Sequence, residues 1–520
     1  MRELASMPIV LDARRPQPLF RQLADSLIAA IGRNVLRPGD RLPGTRALAA
    51  QLDVHRNTVV SAYQDLIAQG WLVGRQASGT FVNLALPLAG VPPVESESPF
   101  DGPPAFAVPT VDGSPFSGPH RGLVLAGGLP DPRLLPADLI GRALRRVAGR
   151  AGNRLLSYGD AQGLRDLRAQ LAKMLNHRRG LVLEPQHLLV TRGSQMALYL
   201  IAKALVRPGE LVAVEALGYP PAWQAFRAAG ARLAPIDVDR HGIDVDALER
   251  LVDACRVRAV YLTPHHQYPT TVTLSASRRL RLLALARRAE LAIIEDDYDH
   301  EFHFEGHPVL PLAHSDRHGS VIYVGTLSKV LAPGLRVGYI AAHRPLIDAL
   351  VNLRGLVDRQ GDLLSEAALA ELFEDGTVLR HVRRVRRIYA QRREVLRDAV
   401  NQRLAGALGF ELPPGGMAVW APVESAIDPM AWAKAAATRG VIVAPGQLFQ
   451  IDRQPLPYLR LGFASCNESE LRKGVLLLAQ ALDSLVTVKG LVDQRGKAAG
   501  ARGPRRGRRA PATNSKRTKR

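Results

Sequence analysis

Hydrophobic residues in the first 83 positions recur at helical spacing in three stretches and then give way to two short β-like runs. Gly70 follows the third helical stretch, where glycine commonly lies just beyond a helix end. The pattern predicts three helices followed by a β-hairpin. The predicted elements are helices over 18–31, 45–52 and 56–69 and strands over 71–73 and 80–82.

The remaining chain shows two further patterns. Residues 84–120 contain nine prolines and little hydrophobic periodicity, which predicts a linker. From about residue 121 to 487, strand-like runs alternate with Arg- and Ala-rich helical patterns, which is typical of a parallel α/β sheet. The predicted organisation is a small helical domain with a hairpin over 1–83, a linker over 84–120, a large domain over 121–488 and a disordered tail over 489–520.

The positive charge of the chain is concentrated at its end. The net charge is +21, and residues 489–520 hold twelve Lys or Arg against one Asp, which is +11 (12 − 1). A segment this basic, rich in Ala, Gly and Pro, is predicted to be disordered. Either it raises non-specific affinity for nucleic acid, or it only increases solubility.

Several classes of protein are not expected. The two cysteines, Cys255 and Cys466, lie far apart, which argues against a disulfide scaffold and a zinc site, so no metal is expected. No signal-peptide pattern and no apolar run of about 20 residues occurs, so no membrane segment is expected. We expect a soluble, cytoplasmic protein.

Three helices and a hairpin make a winged helix-turn-helix, an α+β DNA-binding unit. The third helix of such a unit enters the major groove with its first residues nearest the base edges. Arg and Asn side chains match the hydrogen-bonding edges of G and A. The residues at this end are His55, Arg56, Asn57 and Thr58, and taken alone they favour the polar cap of a surface helix over a DNA contact.

A longer stretch makes the assignment more specific. The run L-P-G-T-R-A-L-A-A-Q-L-D-V-H-R-N-T-V-V-S-A-Y-Q-D-L, with G-T-F-V after it, closely resembles the GntR-type winged-helix domain. Gly44 stands where that family often has Ser, and Asp53 where it often has Gly. The resemblance implies that the third helix, with His55 at its start, contacts DNA, and that the wing approaches the minor groove. The implied DNA contacts are Arg46, Arg56, Asn57 and Thr58, with Ser78 and Gly79 in the wing.

In the large domain, the run G-T-L-S-K-V-L-A-P-G-L-R-V-G-Y follows a predicted buried strand. Lys329 in this run would lie at the carboxyl edge of the sheet, where a lysine can lose its proton and form a Schiff base. Arg336 has the geometry to bind a phosphate, and Thr326 and Ser328 add hydroxyl donors.

Two other segments supply complementary groups. Glu295, Asp296 and Asp297 end a short apolar strand; they are either a solvated strand end or a source of one carboxylate for a pyridine nitrogen. After a strand over 187–191, Gly193 opens a predicted helix whose free N–H groups favour an anion.

Together these segments resemble the fold-type I aminotransferases, through T-x-S-K-x-x-x-P-G-x-R-x-G-Y and D-D-Y-D-x-E-F. Combined with the GntR-type domain, the chain resembles the MocR-type regulators. The implied fold class is multidomain, a winged helix-turn-helix joined to an α/β fold-type I aminotransferase-like domain that binds pyridoxal 5'-phosphate.

The resemblance also implies roles for single residues. Lys329 would form the internal aldimine, Asp296 would pair with the pyridine nitrogen, and Arg460 would grip a substrate carboxylate. The other implied cofactor contacts are Tyr298 at the phenolic oxygen, Tyr219 stacked on the ring, Arg336, Thr326, Ser194 and Gln195 at the phosphate, and Tyr158 reaching the phosphate across a dimer interface.

One stretch departs from the aminotransferase pattern N-P-T-G. Tyr268 replaces the asparagine that usually bonds the phenolic oxygen, so either His266 or Gln267 is expected to substitute for it. Thr271 replaces the glycine. A basic helix over 380–393, with seven arginines, is expected to be a solvated face rather than a DNA contact.

These expectations favour a homodimeric transcription regulator that binds a double-stranded operator. Its effector would be an amine, an amino acid or a B6 vitamer that displaces Lys329 from the cofactor. Two alternatives remain. One is a working aminotransferase that carries a DNA-binding domain, and the other is a cofactor-free dimerisation module in which Lys329 is idle.

Overall fold

The computed structural model describes residues 9–86, 103–104, 106–108 and 122–500, with side chains of the last helix described through residue 485. Most of the predicted linker, and residues 501–520, lie outside the described residues. The chain divides into two compact units, Met1–Asp112 and Gly113–Arg520. Each is a separate body with its own core.

The first unit is a three-helix domain with a two-stranded antiparallel wing. Leu23, Leu27, Leu48 and Leu66 are fully buried and join the three helices in one core. The predicted elements are confirmed to within one or two residues, since the hydrophobic spacing and the Gly70 stop define them locally. The elements are α1 (Leu19–Gly32), α2 (Thr45–Gln51), α3 (Arg56–Ala68), β1 (Leu72–Arg75) and β2 (Gly79–Val82).

The second unit is built on a seven-stranded sheet of order β4-β12-β11-β10-β9-β5-β6, with smaller sheets beside it. Its strands are β3 (Leu123–Val124), β4 (Leu188–Thr191), β5 (Leu211–Glu215), β6 (Arg232–Ile236), β7 (Val238–Asp239), β8 (Gly242–Ile243), β9 (Val257–Leu262), β10 (Ala292–Asp297), β11 (Val321–Thr326), β12 (Gly338–Ala341), β13 (Ala418–Pro422), β14 (Val441–Ile442), β15 (Ala444–Pro445) and β16 (Tyr458–Gly462).

The predicted parallel sheet is mixed. Strand β12 runs antiparallel to both of its neighbours, β4 and β11, while the pairings among β5, β6, β9, β10 and β11 are all parallel. The reason is the connection between β11 and β12. It is a short loop without a crossover helix, and a chain that returns so soon must pair antiparallel. This loop carries Lys329.

Helices cover both faces of the sheet. Side chains of α6, α7 and α11 form one core layer, and those of α8 and α9 form another on the opposite face, because successive strand residues point to opposite sides. The helices are α4 (Ala137–Ala151), α5 (Arg165–Arg179), α6 (Gly193–Leu205), α7 (Pro220–Ala228), α8 (Val245–Ala254), α9 (Ala276–Arg288), α10 (Leu312–Ser315), α11 (Arg344–Val357), α12 (Leu363–Glu374), α13 (Thr377–Arg403), α14 (Pro429–Thr438) and α15 (Glu468–Gly500).

The basic segment over 380–393 lies within α13. Five of its arginines are exposed, as the expectation of a solvated face requires. Arg392 and Arg393 are instead buried: Arg392 pairs with Asp131 at 3.0 Å, and Arg393 donates to the Pro413 carbonyl at 2.6 Å. Periodicity did not distinguish these two from the exposed ones.

Helix α15 continues to Gly500, into the segment predicted to be disordered from 489. The prediction of disorder rested on charge and on the Ala, Gly and Pro content. It did not take into account that the Ala, Lys, Arg and Gln residues of this segment have high helix propensity. Among the described helices, none is both long enough and apolar enough to cross a membrane.

Candidate functional site

Lys329 occupies the loop between β11 and β12, at the carboxyl end of β11. It is half-buried, and its Nζ donates to the carbonyl of Gly128 at 3.1 Å. Burial, and next the nearby Arg460, lower the pKa of Lys329 to about 8. The neutral, nucleophilic amine is therefore far more populated near neutral pH than in an exposed lysine.

Asp296 lies near the end of β10 and is 4% exposed. Its Oδ2 accepts a hydrogen bond from the Tyr261 hydroxyl at 2.9 Å, while Oδ1 is buried without a partner among the described residues. Burial raises the pKa of Asp296 to about 7, and the Tyr261 hydrogen bond opposes that rise. The carboxyl group therefore has one oxygen available for a ligand.

The two acids beside it accept hydrogen bonds from other groups of the protein. Glu295 accepts from the backbone N–H groups of Leu312 and Ala313 at 2.7 and 2.9 Å. Asp297 accepts from the Tyr323 hydroxyl at 2.5 Å and lies 3.5 Å from Arg179. The three acids are therefore not a solvated strand end. Asp297 Oδ1 also lacks a hydrogen-bond partner among the described residues, but Asp297 lies against Arg179, whereas Asp296 is the one of the three whose charge acts on Lys329.

Arg460, on β16, is 1% exposed, and its Cζ lies 4.4 Å from the ring centre of Tyr268. Its Nε and Nη1 have no hydrogen-bond acceptor in the described parts of the chain. A buried guanidinium without an acceptor is costly, and a carboxylate bound through two parallel hydrogen bonds would satisfy it. Glycine at position 128 keeps the space open, since a Cβ there would lie 3.4 Å from Arg460 Nη2.

Three tyrosines surround this space. Tyr268 packs edge to face against Tyr219 and against Tyr298, with ring centres 5.3 and 5.9 Å apart. The Tyr298 hydroxyl is buried and has no partner within the described structure. The sequence shows Tyr268 only as a replacement for asparagine and gives no sign of Tyr261. The packing of Tyr268 against Arg460 and the hydrogen bond from Tyr261 to Asp296 both join residues far apart in the chain.

A phosphate-sized cup lies at the start of α6. Gly193 has a φ of +76°, and a Cβ there would lie 3.0 Å from Arg336 Nη2. A Cβ on Gly338 would lie 2.9 Å from the Ser194 backbone nitrogen. The two glycines therefore let Arg336 and the helix N-terminus approach one another, which is a favourable arrangement for an anion.

The hydroxyl groups expected at this cup are close to it. Thr326 pairs with Gly338 in the sheet, and its Oγ1 accepts from the Ser328 backbone N–H at 3.1 Å. The Ser328 Oγ is buried without a partner in the described residues. Gln195 Nε2 donates to the Pro221 carbonyl at 2.8 Å. The structure thus groups Ser194, Thr326, Ser328 and Arg336, whereas the Gln195 amide is engaged by α7.

Tyr158 is not part of this group. Its ring is 75% exposed and lies 4.0 Å below the guanidinium of Arg359. His266 Nδ1 lies 2.7 Å from Asp299 Oδ1, and Gln267 Nε2 donates to the carbonyls of Leu217 and Tyr268, both at 2.7 Å. The substitution of His266 or Gln267 for the missing asparagine stays a prediction.

The expected DNA contacts lie on the surface of the first unit. Arg46, Arg56, Asn57 and Ser78 are exposed and Thr58 is half-buried. His55 caps α3, since its Nδ1 accepts from the Asn57 N–H at 3.2 Å. Gly79 is the exposed first residue of β2, with a φ of +108°. These placements bring Arg56 and Asn57 to the first turn of the third helix.

The unsatisfied groups of the second unit fit pyridoxal phosphate. Asp296 Oδ1 suits a ring nitrogen, the Tyr298 hydroxyl suits a phenolic oxygen, and the Gly193 cup suits a phosphate. Lys329 supplies the amine that an aldehyde needs. Asp296 Oδ1 and the Tyr298 hydroxyl are buried without a hydrogen-bond partner in the described residues, as groups that hold a ligand would be.

Comparison with known proteins agrees with this geometry. The model of the aminotransferase class I and II family matches residues 131–476, and that of the bacterial regulatory proteins of the gntR family matches residues 19–82. Among solved structures, LysN, the alpha-aminoadipate aminotransferase of Thermus thermophilus complexed with N-(5'-phosphopyridoxyl)-L-leucine, superposes with a TM-score of 0.66 and 31% identity. The match covers 71% of this chain and 93% of that one.

Two regulators match along most of the chain. The probable rhizopine catabolism regulatory protein MocR of Rhizobium meliloti is 32% identical over 94% of this chain and 99% of its own length. The HTH-type transcriptional regulator TauR of Rhodobacter capsulatus is 34% identical, over 86% and 93% respectively. The predicted fold class and the predicted pyridoxal phosphate cofactor are thereby confirmed. The chain belongs to the MocR-type transcription regulators, in which a gntR-family helix-turn-helix domain is fused to a domain of the aminotransferase class I and II family.

Proposed function

We propose that this regulator senses a small amino compound in the pocket of Lys329 and Arg460 and, as a cytoplasmic homodimer, reports it by changing its affinity for a DNA operator. The compound is an amino acid or another amine, or a B6 vitamer that alters occupancy of the same pocket. The DNA contacts are made by the first turn of α3 and by the wing.

The observation that carries this proposal is the buried guanidinium of Arg460 without an acceptor in the described residues, close enough to Lys329 to lower the pKa of that amine. One side of the pocket can hold a carboxylate, and the other side carries a reactive amine. A ligand with both an amino and a carboxylate group matches both sides.

The cofactor and the protein contribute different things. Pyridoxal phosphate, when bound, supplies an aldehyde that condenses with primary amines, which is the chemistry that selects for amino compounds. Asp296 would hold the pyridine nitrogen, Tyr298 would bond the phenolic oxygen, and the Gly193 cup with Arg336 would anchor the phosphate. Lys329 holds or releases a proton at Nζ, and the tyrosines restrict the water around it.

The proposed homodimer would use the exposed ring of Tyr158. A large aromatic side chain left three-quarters exposed is a candidate for a contact with a second copy, and the family resemblance assigns it to the partner's phosphate. Replacement of Tyr158 by Ala should weaken pyridoxal phosphate binding in the dimer although the side chain touches none of the cup residues of its own chain.

The direct test combines absorbance with DNA binding. Amino acids, alkylamines and B6 vitamers are added singly to the purified full-length protein while its visible spectrum is recorded. DNA that the same protein selects from a random-sequence pool then serves as the operator. The proposal expects that a compound that shifts the spectrum also shifts operator affinity. A shift in the spectrum with unchanged operator affinity would contradict it.

A working transaminase is the second candidate, because Lys329, Asp296 and Arg460 are all present, although the usual asparagine is replaced by Tyr268. In that case, an amino donor would convert the cofactor to its aminated form, and a keto acid would reverse the change over many turnovers. A single stable spectral shift without keto acid production supports a sensor alone.

A further inference from the structure

A cluster of histidines lies beside the groups assigned to pyridoxal phosphate, and it includes His266, one of the two candidates to replace the missing asparagine. His265, His266 and His303 each offer a ring nitrogen, and the three nitrogens lie within 4.8 Å of one another. His265 and His266 are 3% and 1% exposed, and His303 is half-buried. Two adjacent residues after β9 thus meet one residue after β10.

Four of the six ring nitrogens of this cluster are buried and not engaged by the described part of the protein. Both ring nitrogens of His265, the Nε2 of His266 and the Nδ1 of His303 lack a hydrogen-bond partner within the described structure. These four nitrogens are therefore available to a ligand.

Asp299 orients one member of the cluster. Its Oδ1 lies 2.7 Å from His266 Nδ1, so the imidazole donates there and directs Nε2 elsewhere. A carboxylate that accepts from the far nitrogen of a histidine is the usual outer contact of a histidine metal ligand. Glycine at position 415 leaves the space near Nε2 open, since a Cβ there would lie 2.3 Å from it.

One carboxylate beside the cluster has a free oxygen. Asp299 Oδ2 is buried without a partner in the described residues, whereas Asp297 and Glu301 are paired with Arg179 at 3.5 and 3.1 Å. A surface cavity of about 240 Å³ reaches His300 and His303 and provides a route from solvent.

We propose that His265, His266 and His303 bind a divalent transition-metal ion of the zinc class, with Asp299 as the outer partner of His266. Three imidazoles leave a fourth tetrahedral position for water or a ligand. With a Zn–N distance of about 2.0–2.1 Å the donors lie about 3.4 Å apart, so binding draws the rings inward by about an ångström.

An ion at this position joins two segments of the ligand pocket. The loop of His265 and His266 leads directly to Tyr268, and the segment that carries His303 leads back to Tyr298. Metal binding therefore holds together two of the tyrosines that line the pocket. The site itself stands on the histidine geometry and does not depend on the proposed effector.

The test uses full-length, tag-free protein loaded with pyridoxal phosphate and titrated with CoCl2. Tetrahedral cobalt absorbs at longer wavelengths than the cofactor, so the two signals are separable. We expect about one Co²⁺ per chain, displaced by ZnCl2. Replacement His303→Ala should abolish the signal, and Asp299→Asn should weaken binding by about 10–100-fold.

Replacement His318→Ala is the matched control, because His318 is an exposed histidine away from the cluster and should bind Co²⁺ as the wild type does. His303 is only half-buried, so its replacement should leave the fold and the cofactor absorbance intact. Absence of the cobalt band in the wild-type protein, or an equal band in His303→Ala, would overturn the proposal.

Discussion

At the scale of single residues, the site is defined by groups that the protein buries without satisfying. Asp296 Oδ1, the Tyr298 hydroxyl and the Arg460 guanidinium lack partners in the described chain, although their neighbours Glu295 and Asp297 are bonded to the protein. Sequence motifs pointed to these residues, but only tertiary contacts show that Asp296 lies near Lys329 while Asp297, which also has an unpartnered oxygen, lies against Arg179.

The pKa of Lys329 leads to a pH prediction. Because burial and Arg460 lower that pKa to about 8, the neutral amine predominates above pH 8 and decreases about tenfold per pH unit below it. We expect the rate at which the cofactor-free protein recombines with pyridoxal phosphate to rise with pH and to reach half its maximum near pH 8. Stopped-flow absorbance measures it. A midpoint near 10, as for an exposed lysine, would contradict the assignment.

Replacement of Arg460 should separate two classes of ligand. In Arg460→Gln, amino acids that carry a carboxylate should lose roughly 2–5 kcal/mol of binding free energy, while an alkylamine of similar size should bind about as before. The pH midpoint of Lys329 should also move upward, because a positive neighbour is removed. Spectral titration measures both, with the exposed Arg439→Gln as control. An equal loss for both classes of ligand would exclude a carboxylate contact.

At the scale of elements, the sequence predicted what local patterns determine. The three helices of the first unit match within one or two residues, since hydrophobic spacing and glycine stops are local signals. Asp53 has a φ of +52° and Thr271 a φ of +66°, the left-handed region in which the family often has glycine at both positions. Asp tolerates that region, whereas a β-branched Thr is strained there.

Other features depend on tertiary contacts, which local sequence patterns do not show. Strand β12 runs antiparallel to its neighbours because its connection to β11 is short. Hydrophobic periodicity predicts that a strand is present but not the direction in which it runs. The histidine cluster joins residues more than thirty positions apart, and sequence reasoning considered metal ligation only through the cysteines. The adjacent His265 and His266, followed by His300 and His303, were the available signal.

Replacement of Gly193, the first residue of α6, tests whether the cup binds the phosphate. In Gly193→Ala, a Cβ would lie 3.0 Å from Arg336 Nη2, at a φ that costs an L residue about 1–2 kcal/mol. We expect pyridoxal phosphate to dissociate at least about tenfold more readily, as measured by equilibrium dialysis. The control Gly149→Ala, exposed in α4 with open space around it, should leave cofactor affinity unchanged and stabilise the fold by about 0.5–1 kcal/mol. Unchanged affinity in Gly193→Ala would remove this cup from the site.

Replacement of Arg56, in the first turn of α3, tests whether this turn contacts DNA. In Arg56→Ala, we expect operator affinity to fall by roughly 1–3 kcal/mol, with discrimination among bases relaxed, while the cofactor spectrum is unchanged. The exposed Arg403→Ala removes the same charge from the other unit and should change operator affinity little. Fluorescence anisotropy measures both variants. An equal small loss in both would indicate only a general charge effect.

At the scale of the whole molecule, the chain joins two units with separate cores and separate ligands. A ligand in one unit affects the other only if it binds more tightly to one of two states of the protein. The coupling must also be reciprocal: whatever factor the effector imposes on operator affinity, the operator imposes on effector affinity.

The most direct test of this account is the dissociation constant of the full-length protein for its selected operator, with and without a saturating compound that shifts the cofactor spectrum. If no added compound shifts the cofactor spectrum, operator affinity is compared with and without bound pyridoxal phosphate instead. The account predicts a change of about 5–150-fold in the wild type and no change in Lys329→Ala. Equal operator affinity with and without the ligand, or the same change in Lys329→Ala, would contradict it.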